Sequence, residues 1–258
     1  MKRAPPDAKA VARRAIAFKY VTMIAAMTPP AHVLADWRAS WSQDDLKGFY
    51  SGIRKEQDTM LEEAGPWKSA FTPRERAFMS ANLLKLKPRE HIDMGWCVES
   101  LNVLAWALRA RPTLPPYHRQ ISPKSLRHFA SGDLRGFVAS AKLRARREIE
   151  KARDLAEFWH WRSRTRELAQ TGKPPFEPPV DGIESYDDIV RMAAVEAGKR
   201  GDFRPIRQDF PAFGRAYREL TEDQWSDVRS ITSERHRALN WLCGYAPRNS
   251  WAQTPTDT

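Results

Sequence analysis

The sequence predicts an all-α fold, a single irregular multi-helix domain over residues 1–258 built around two central buried helices, at about 95–110 and 222–244. Three observations carry this. Apolar residues recur at helical spacing through most of the chain, and no alternating run is long enough to require a sheet. Prolines fall mostly between the helical segments, where they act as punctuation. With 41% apolar and 10% aromatic residues, a chain of 258 residues can bury a substantial core, and twelve glycines and nineteen prolines are too few for low complexity.

The first helix is expected over 7–27, with Val11, Ala15, Phe18 and Thr22 supplying contacts and Arg13 and Arg14 alongside, and Thr28, Pro29 and Pro30 end it. In 31–50, Trp37 and Trp41 stand four apart, a spacing that staples a short helix to the core. A further helix is expected over 51–63, broken by Gly65 and Pro66. Thr72, Pro73, Arg74 and Glu75 have the form of a capped helix start, with Glu75 in the capping role. Phe78, Met79, Leu83 and Leu84 give the apolar side of that helix, which ends before Pro88.

Residues 95–110 are apolar almost all round, so this helix is buried on most sides. Glu99, Ser100 and Asn102 are its polar exceptions, and an ionised Glu99 there requires a cation and hydrogen bonds. Pro112, Pro115 and Pro116 then make a rigid crossing pinned by Tyr117, and Ser122 before Pro123 opens a short helix. A long helix is expected over 140–170, with Leu143, Ile149, Ala152, Leu155, Ala156 and Trp159 inward.

The proline-rich stretch 171–180 reads as an exposed loop within the domain. A helix over 186–199 and an aromatic-rich loop over 202–217 follow. The last helix, within 221–245, has a capping box at Thr221 and Gln224 and a left-handed cap at Gly244. Its inward side holds Trp225, Val228, Ile231, Thr232, Ala238, Leu239 and Leu242, with Arg235 in their midst. A guanidinium cannot lose its proton, so Arg235 must reach solvent or meet a buried carboxylate, and Glu99 is the candidate.

Cys97 and Cys243 both lie in apolar helical runs, which points to reduced thiols in a cytoplasm. Arg13, Arg14 and Lys19 interrupt the only apolar stretch that resembles a signal peptide, and no segment has the roughly 20 apolar residues that span a bilayer. The expectation is a soluble, cytoplasmic chain with no membrane partner. Net charge is +11, and residues 109–147 carry ten basic residues against Asp133 alone. Of these, Arg127, Arg135, Lys142, Arg144, Arg146 and Arg147 are candidates for contacting phosphates, with a solvated basic face as the alternative.

The paired Arg13 and Arg14, the set Trp96, Glu99, Leu104, Trp106, Ala107 and Leu108, the pair His160 and Trp161, and the final group Glu234, Arg235, Ala238, Leu239, Asn240, Trp241, Trp251, Asp257 and Thr258 form a pattern. It resembles an uncharacterised bacterial family, the domain of unknown function 4272 (DUF4272). The resemblance implies a single, mainly helical domain and supplies no activity.

Two readings of the polar residues follow. Glu99 and Arg235 form a buried ion pair joining the central helices, or Glu99, His160, Arg235 and Asp257 share a pocket in which His160 acts as acid or base. His160 as an aromatic spacer beside Trp159 and Trp161 is the plainer alternative. The other histidines lack paired metal-ligand spacing, and nucleophile-elbow, phosphate-loop and dinucleotide motifs are missing, so neither a metal nor a cofactor is expected. The functional expectation is a non-catalytic binding or interaction protein with a protein or anionic partner. The alternatives are a nucleic-acid or polyanion binder using 109–147 and an enzyme centred on His160.

Overall fold

Asp7 opens the first helix, α1 (Ala8–Met27), by accepting the amide of Ala10 at 2.7 Å, and the chain leaves it at Thr28 before the two prolines. The structure, a computed structural model, describes residues 4–126, 128–176 and 180–256. The described residues divide into two compact units, residues 6–113 with 121–144, and residues 4–5 and 114–120 with 145–256. The architecture is all-α, with one two-stranded sheet among the described residues.

In the first unit α1 is the hub. It packs against α3 (Gln43–Ala64), α4 (Pro73–Ser80), α5 (Pro88–Gly95), α6 (Cys97–Ala107) and α7 (Leu134–Ser140). Ala12, Ala15, Ala17 and Ala25 are buried, small enough to let neighbours approach on several sides. α6 is buried at every position, as its apolar circumference requires. The expected central helix at 95–110 is therefore one of two central helices in this unit, and α1 is the other.

Several boundaries differ for local reasons. Pro88, expected to stop a helix, starts α5 at a position where its missing amide costs nothing, and residue 95 ends α5 instead of opening α6. Ser42 caps α3 by accepting the amide of Asp45 at 3.1 Å, so that helix runs through residue 50 without a break; α2 (Ala31–Ser40) precedes it. Trp37 and Trp41 do stack, at 4.6 Å, but on Phe49 of α3, and Trp41 is 37% exposed. They clip α2 to α3 at the surface and do not enter the core.

α4 has the expected capping box but stops at Ser80, where Gln57 donates to the carbonyls of Met79 (2.6 Å) and Ala81 (2.8 Å). Leu83 and Leu84 fall in a separate 3-10 turn. The helix expected over 140–170 is two helices, α7 and α8 (Arg146–Ala169). Between them the amide of Arg144 donates to Ala107 and its guanidinium to the carbonyls of Trp106 and Arg111, which holds 141–145, Leu143 included, in extended form.

The second unit is organised by α8 against α10 (Glu222–Leu242), with α9 (Tyr186–Arg200) packed on α8. Both ends of α10 are as expected. Thr221 and Gln224 complete the capping box, and Gly244, at φ 80°, lets the amide of Tyr245 reach the carbonyl of Asn240. Trp225, expected inward, is half-buried between the guanidiniums of Arg166 and Arg229.

The expected aromatic loop over 202–217 carries a hairpin. Strand β1 (Pro211–Ala212) pairs antiparallel with β2 (Arg215–Ala216) through Phe213 and Gly214, both at positive φ, as a tight hairpin turn requires. Just before it, Ile206 and Asp209 exchange two 3.0 Å backbone bonds around Arg207 and Gln208, also at positive φ. Phe203 and Phe210 pack on Trp159 of α8 at 5.7 and 5.2 Å. Residues 171–174, 176 and 180 of the proline-rich stretch are exposed; Pro178 and Pro179 lie outside the described residues.

Candidate functional site

Arg235 sits in the middle of the buried face of α10, fully closed to solvent. Nη1 donates to the carbonyls of Pro115 (2.6 Å) and Pro116 (3.2 Å), and Nη2 to that of Arg119 (3.0 Å). The guanidinium lies 5.3 Å over the Tyr117 ring, which stacks on Trp159 at 5.2 Å. The solvent route expected as one option for Arg235 is thus excluded. Backbone carbonyls, whose oxygens become donors' targets when prolines hold them out of any helix, supply partners the sequence did not suggest. Tyr117 pins the crossing as expected, and burial pushes its hydroxyl's pKa up against the opposing influence of Arg235.

One residue along, His236 is also fully buried, and its Nδ1 lies 3.1 Å from Nδ1 of His160 on α8. Asn240, one turn further along α10, settles the protons. Its Nδ2 donates to the carbonyl of Pro255 (3.0 Å) while its Oδ1 accepts from Nε of Arg153 (2.9 Å), so the amide orientation is fixed. The same Nδ2 lies 2.9 Å from Nε2 of His236, which must accept. His236 therefore carries its proton on Nδ1 and donates to Nδ1 of His160, leaving the proton of His160 on Nε2. Burial, then the charges of His160 and Arg153, push His236 down to about 3.

His236 is among the histidines without paired metal-ligand spacing in the sequence, yet it joins this cluster. Its i to i+4 relation to Asn240, next to Arg235, was the available signal. A buried ion pair in this unit that no sequence pattern indicated joins Arg162 of α8 to Asp209 of the turn, at 3% and 0% exposure. Asp209 accepts from Nε (2.8 Å) and Nη2 (2.9 Å) of Arg162 and from the amides of Phe210 and Arg218.

Glu99 belongs to the other unit. It is fully buried on α6, and its Oε1 accepts the amide of Ile121 at 2.7 Å. That unit has an ion pair of its own that was not foreseen, between Arg14 of α1 and Glu75 of α4, bonded through both guanidinium ends. Glu75 also accepts the amide of Thr72. Burial opposes its charge, but the bonds and charge of Arg14 outweigh burial and hold the carboxyl below the ordinary range. Of the expected cluster, His160 and Arg235 are residues of the second unit and Glu99 of the first, and Asp257 lies outside the described residues.

Among the expected anion-binding residues, Arg135, Lys142 and Arg147 are exposed, and Arg146 is held by Glu150 at 2.9 Å. Arg144 is committed to carbonyls and lies over the Trp106 ring, and Arg127 falls outside the described residues. Trp106 is buried in α6 and Trp96 half-buried before it; Trp241 donates to the carbonyl of Asn249 and packs edge-on against Trp251. Glu234 faces Arg237 at 3.9 Å.

Among the described residues, the second unit has open cavities on α8 and α9. The larger, about 700 Å³, runs beside α8 and the end of α9. Leu155, Phe158 and Trp161 line it, the two rings stacked at 5.6 Å, and Arg200 and Asp202 stand at its edge, paired at 2.8 Å. The smaller, about 260 Å³, is lined by Arg162, Arg166 and Arg218 together with the start of α9. Among the described residues no group of three or more His, Cys, Asp or Glu side chains is placed to hold a metal ion.

Fold and site together define an all-α protein with bonded buried polar groups around Arg235, His236 and Asp209 and with open cavities beside α8 and α9. The chain matches the family model described as Domain of unknown function (DUF4272) over residues 3–176, and it belongs to that family. The match takes in Arg14, Glu99 and His160 and stops before α10, so the landmarks from Glu234 onward lie beyond it. Neither the curated proteins nor the solved structures contain a match to the chain. Among the described residues no helix is long and apolar enough to cross a membrane.

Proposed function

We propose that this chain is a non-catalytic binding protein of the cytoplasm that engages a partner protein through the groove between α8 and the end of α9. The observation that carries the reading is the stacked Phe158 and Trp161 pair lining an open groove of about 700 Å³. An apolar or aromatic side chain of the partner seats on this floor, where burial of aromatic surface concentrates binding energy. Of the charged lining residues, Asp202 is paired with Arg200 and Glu157 and Asp154 with Arg153, and together with Lys151 they supply a polar border to the aromatic floor. Buried thiols at Cys97 and Cys243 suit a reducing compartment.

Against an acid–base role, His160, His236 and Arg235 are closed to solvent and engaged with neighbours. The polyanion reading is favoured by one observation, the exposure of Arg135, Lys142 and Arg147, and it requires oligonucleotide binding that weakens steeply with salt.

Selection of a displayed peptide library on the intact protein tests the groove. Enriched peptides should share an aromatic or large apolar anchor and bind Trp161→Ala at least about tenfold more weakly, the equivalent of ~1.4 kcal/mol. Peptides that bind wild type and Trp161→Ala equally contradict the assignment.

A further inference from the structure

The smaller cavity carries a separate inference, independent of the aromatic groove. Three guanidiniums line one space of about 260 Å³: Arg162 and Arg166, one turn apart on α8, and Arg218 from the segment after the hairpin. Asp187 is the one carboxylate in the described lining. Asp209 and Glu222 balance Arg162 and Arg166 from outside the space, so what the guanidiniums offer an anion inside it is their remaining N–H donors.

The three arginines are held in place by bonds that leave donors over. Arg162 commits Nε and Nη2 to Asp209 and lies 4.4 Å over the Tyr217 ring, which leaves Nη1. Arg166 commits Nη1 to the carbonyl of Leu220 and Nη2 to Glu222, and stacks over Trp225, which leaves Nε. Arg218 gives Nη2 to the carbonyl of Arg207, which leaves Nη1 and Nε. Asp209, the partner of Arg162, and Glu222, a partner of Arg166, do not line the cavity, so these carboxylates position the two guanidiniums without filling the space. Tyr186 and Gln170 add a hydroxyl and an amide to the wall.

We propose that this cavity binds a phosphate group. Guanidiniums approaching from two positions on one helix and one on a different segment suit the oxygens of a tetrahedral anion better than the two coplanar oxygens of a carboxylate. At about 30 Å³ per water, the space holds roughly nine waters, room for a phosphate on a small organic skeleton. The ligand class is therefore inorganic phosphate or a small phosphomonoester.

Calorimetric titration of the full chain at low ionic strength tests this, with inorganic phosphate, glycerol phosphate and acetate as separate titrants. Saturable one-site binding of a phosphate-bearing titrant, with acetate at least about tenfold weaker, is the expected result. Tighter binding of glycerol phosphate assigns an organic ligand, and equal binding assigns the free anion. Arg218→Gln, an exposed residue, should lower affinity about tenfold with an unchanged Tm, while Asp187→Asn should raise it by removing the opposing charge. Absence of saturable heat, equal affinity for acetate, full affinity in Arg218→Gln, or weaker binding in Asp187→Asn overturns the proposal. None of these outcomes depends on the peptide selection at Trp161.

Discussion

Arg162 grips Asp209 through two parallel bonds of 2.8 and 2.9 Å, and the same carboxylate accepts the amides of Phe210 and Arg218. One aspartate thus ties the middle of α8 to both sides of the hairpin. Arg162→Met alone leaves a buried carboxylate short of its cation and should cost about 3–5 kcal/mol, and Asp209→Asn alone a similar amount. In urea unfolding, the double variant should recover part of the summed loss. Recovery stays incomplete because Asp209 accepts the amides of Phe210 and Arg218 on separate oxygens, and Asn has only one. Strictly additive losses would show that the pair is not coupled.

Glu75 sets an acid dependence. Its folded-state pKa lies below the ordinary value because Arg14 and Thr72 favour the charged form over the opposition of burial. The unfolded chain therefore binds the proton more readily, and the stabilisation present above the ordinary Glu range is lost as pH falls through it. Unfolding free energies between pH 6 and 3 should decline less steeply in Glu75→Gln than in wild type. Parallel curves would remove Glu75 from the acid response.

The ends of α10 make a local prediction. Thr221→Ala removes the acceptor for the Gln224 amide and should cost about 1 kcal/mol. Gly244→Ala forces a Cβ into left-handed backbone at φ 80° and should cost about 1–2 kcal/mol. Since the two caps are 23 residues apart along one helix, thermal melts of the double variant should show the sum.

Asn102 makes a prediction of opposite sign. It is fully buried on α6, and neither its amide nitrogen nor its carbonyl oxygen has a hydrogen-bond partner among the described residues. Burying such a group costs about 1–3 kcal/mol. Asn102→Leu, which keeps the branching and drops the polar atoms, should leave chemical stability unchanged or raise it. A loss above about 2 kcal/mol would mean that the amide has work in the folded state.

Much of the architecture was legible because its signals are local. Thr72 with Glu75 and Thr221 with Gln224 write capping boxes into four residues, and Gly244 writes a terminus into one. The continuous apolar surface of α6 fixed its burial at all positions. What stayed hidden depends on distant partners. Arg14 meets Glu75 across 61 residues and Arg162 meets Asp209 across 47, and no spacing rule links them. The break at 141–145 is set by carbonyls of α6 and of Arg111, far back in the chain. Two-residue strands are too short to alternate, so the hairpin left no period to read. At the site, Arg235, His160 and His236 are all buried; the i to i+4 relation of His236 to Asn240 is local, but its contact with His160 arises only when α8 and α10 meet.

Buried polar contacts between α8 and α10 hold the second unit together. His236 tests this most directly, since burial and nearby positive charge place it at about 3 and the Asn240 amide fixes its tautomer. With the folded value below the unfolded one, stability should fall as pH drops below about 6.5, by up to ~1.4 kcal/mol per unit from this residue. Nitrogen-15 NMR of the imidazoles, followed from pH 8 to 5 in the folded protein, reads both properties at once. The account predicts a neutral, non-titrating His236 protonated on Nδ1 and a His160 protonated on Nε2 at pH 8. A His236 that titrates between 6 and 7, or that carries its proton on Nε2, would contradict it.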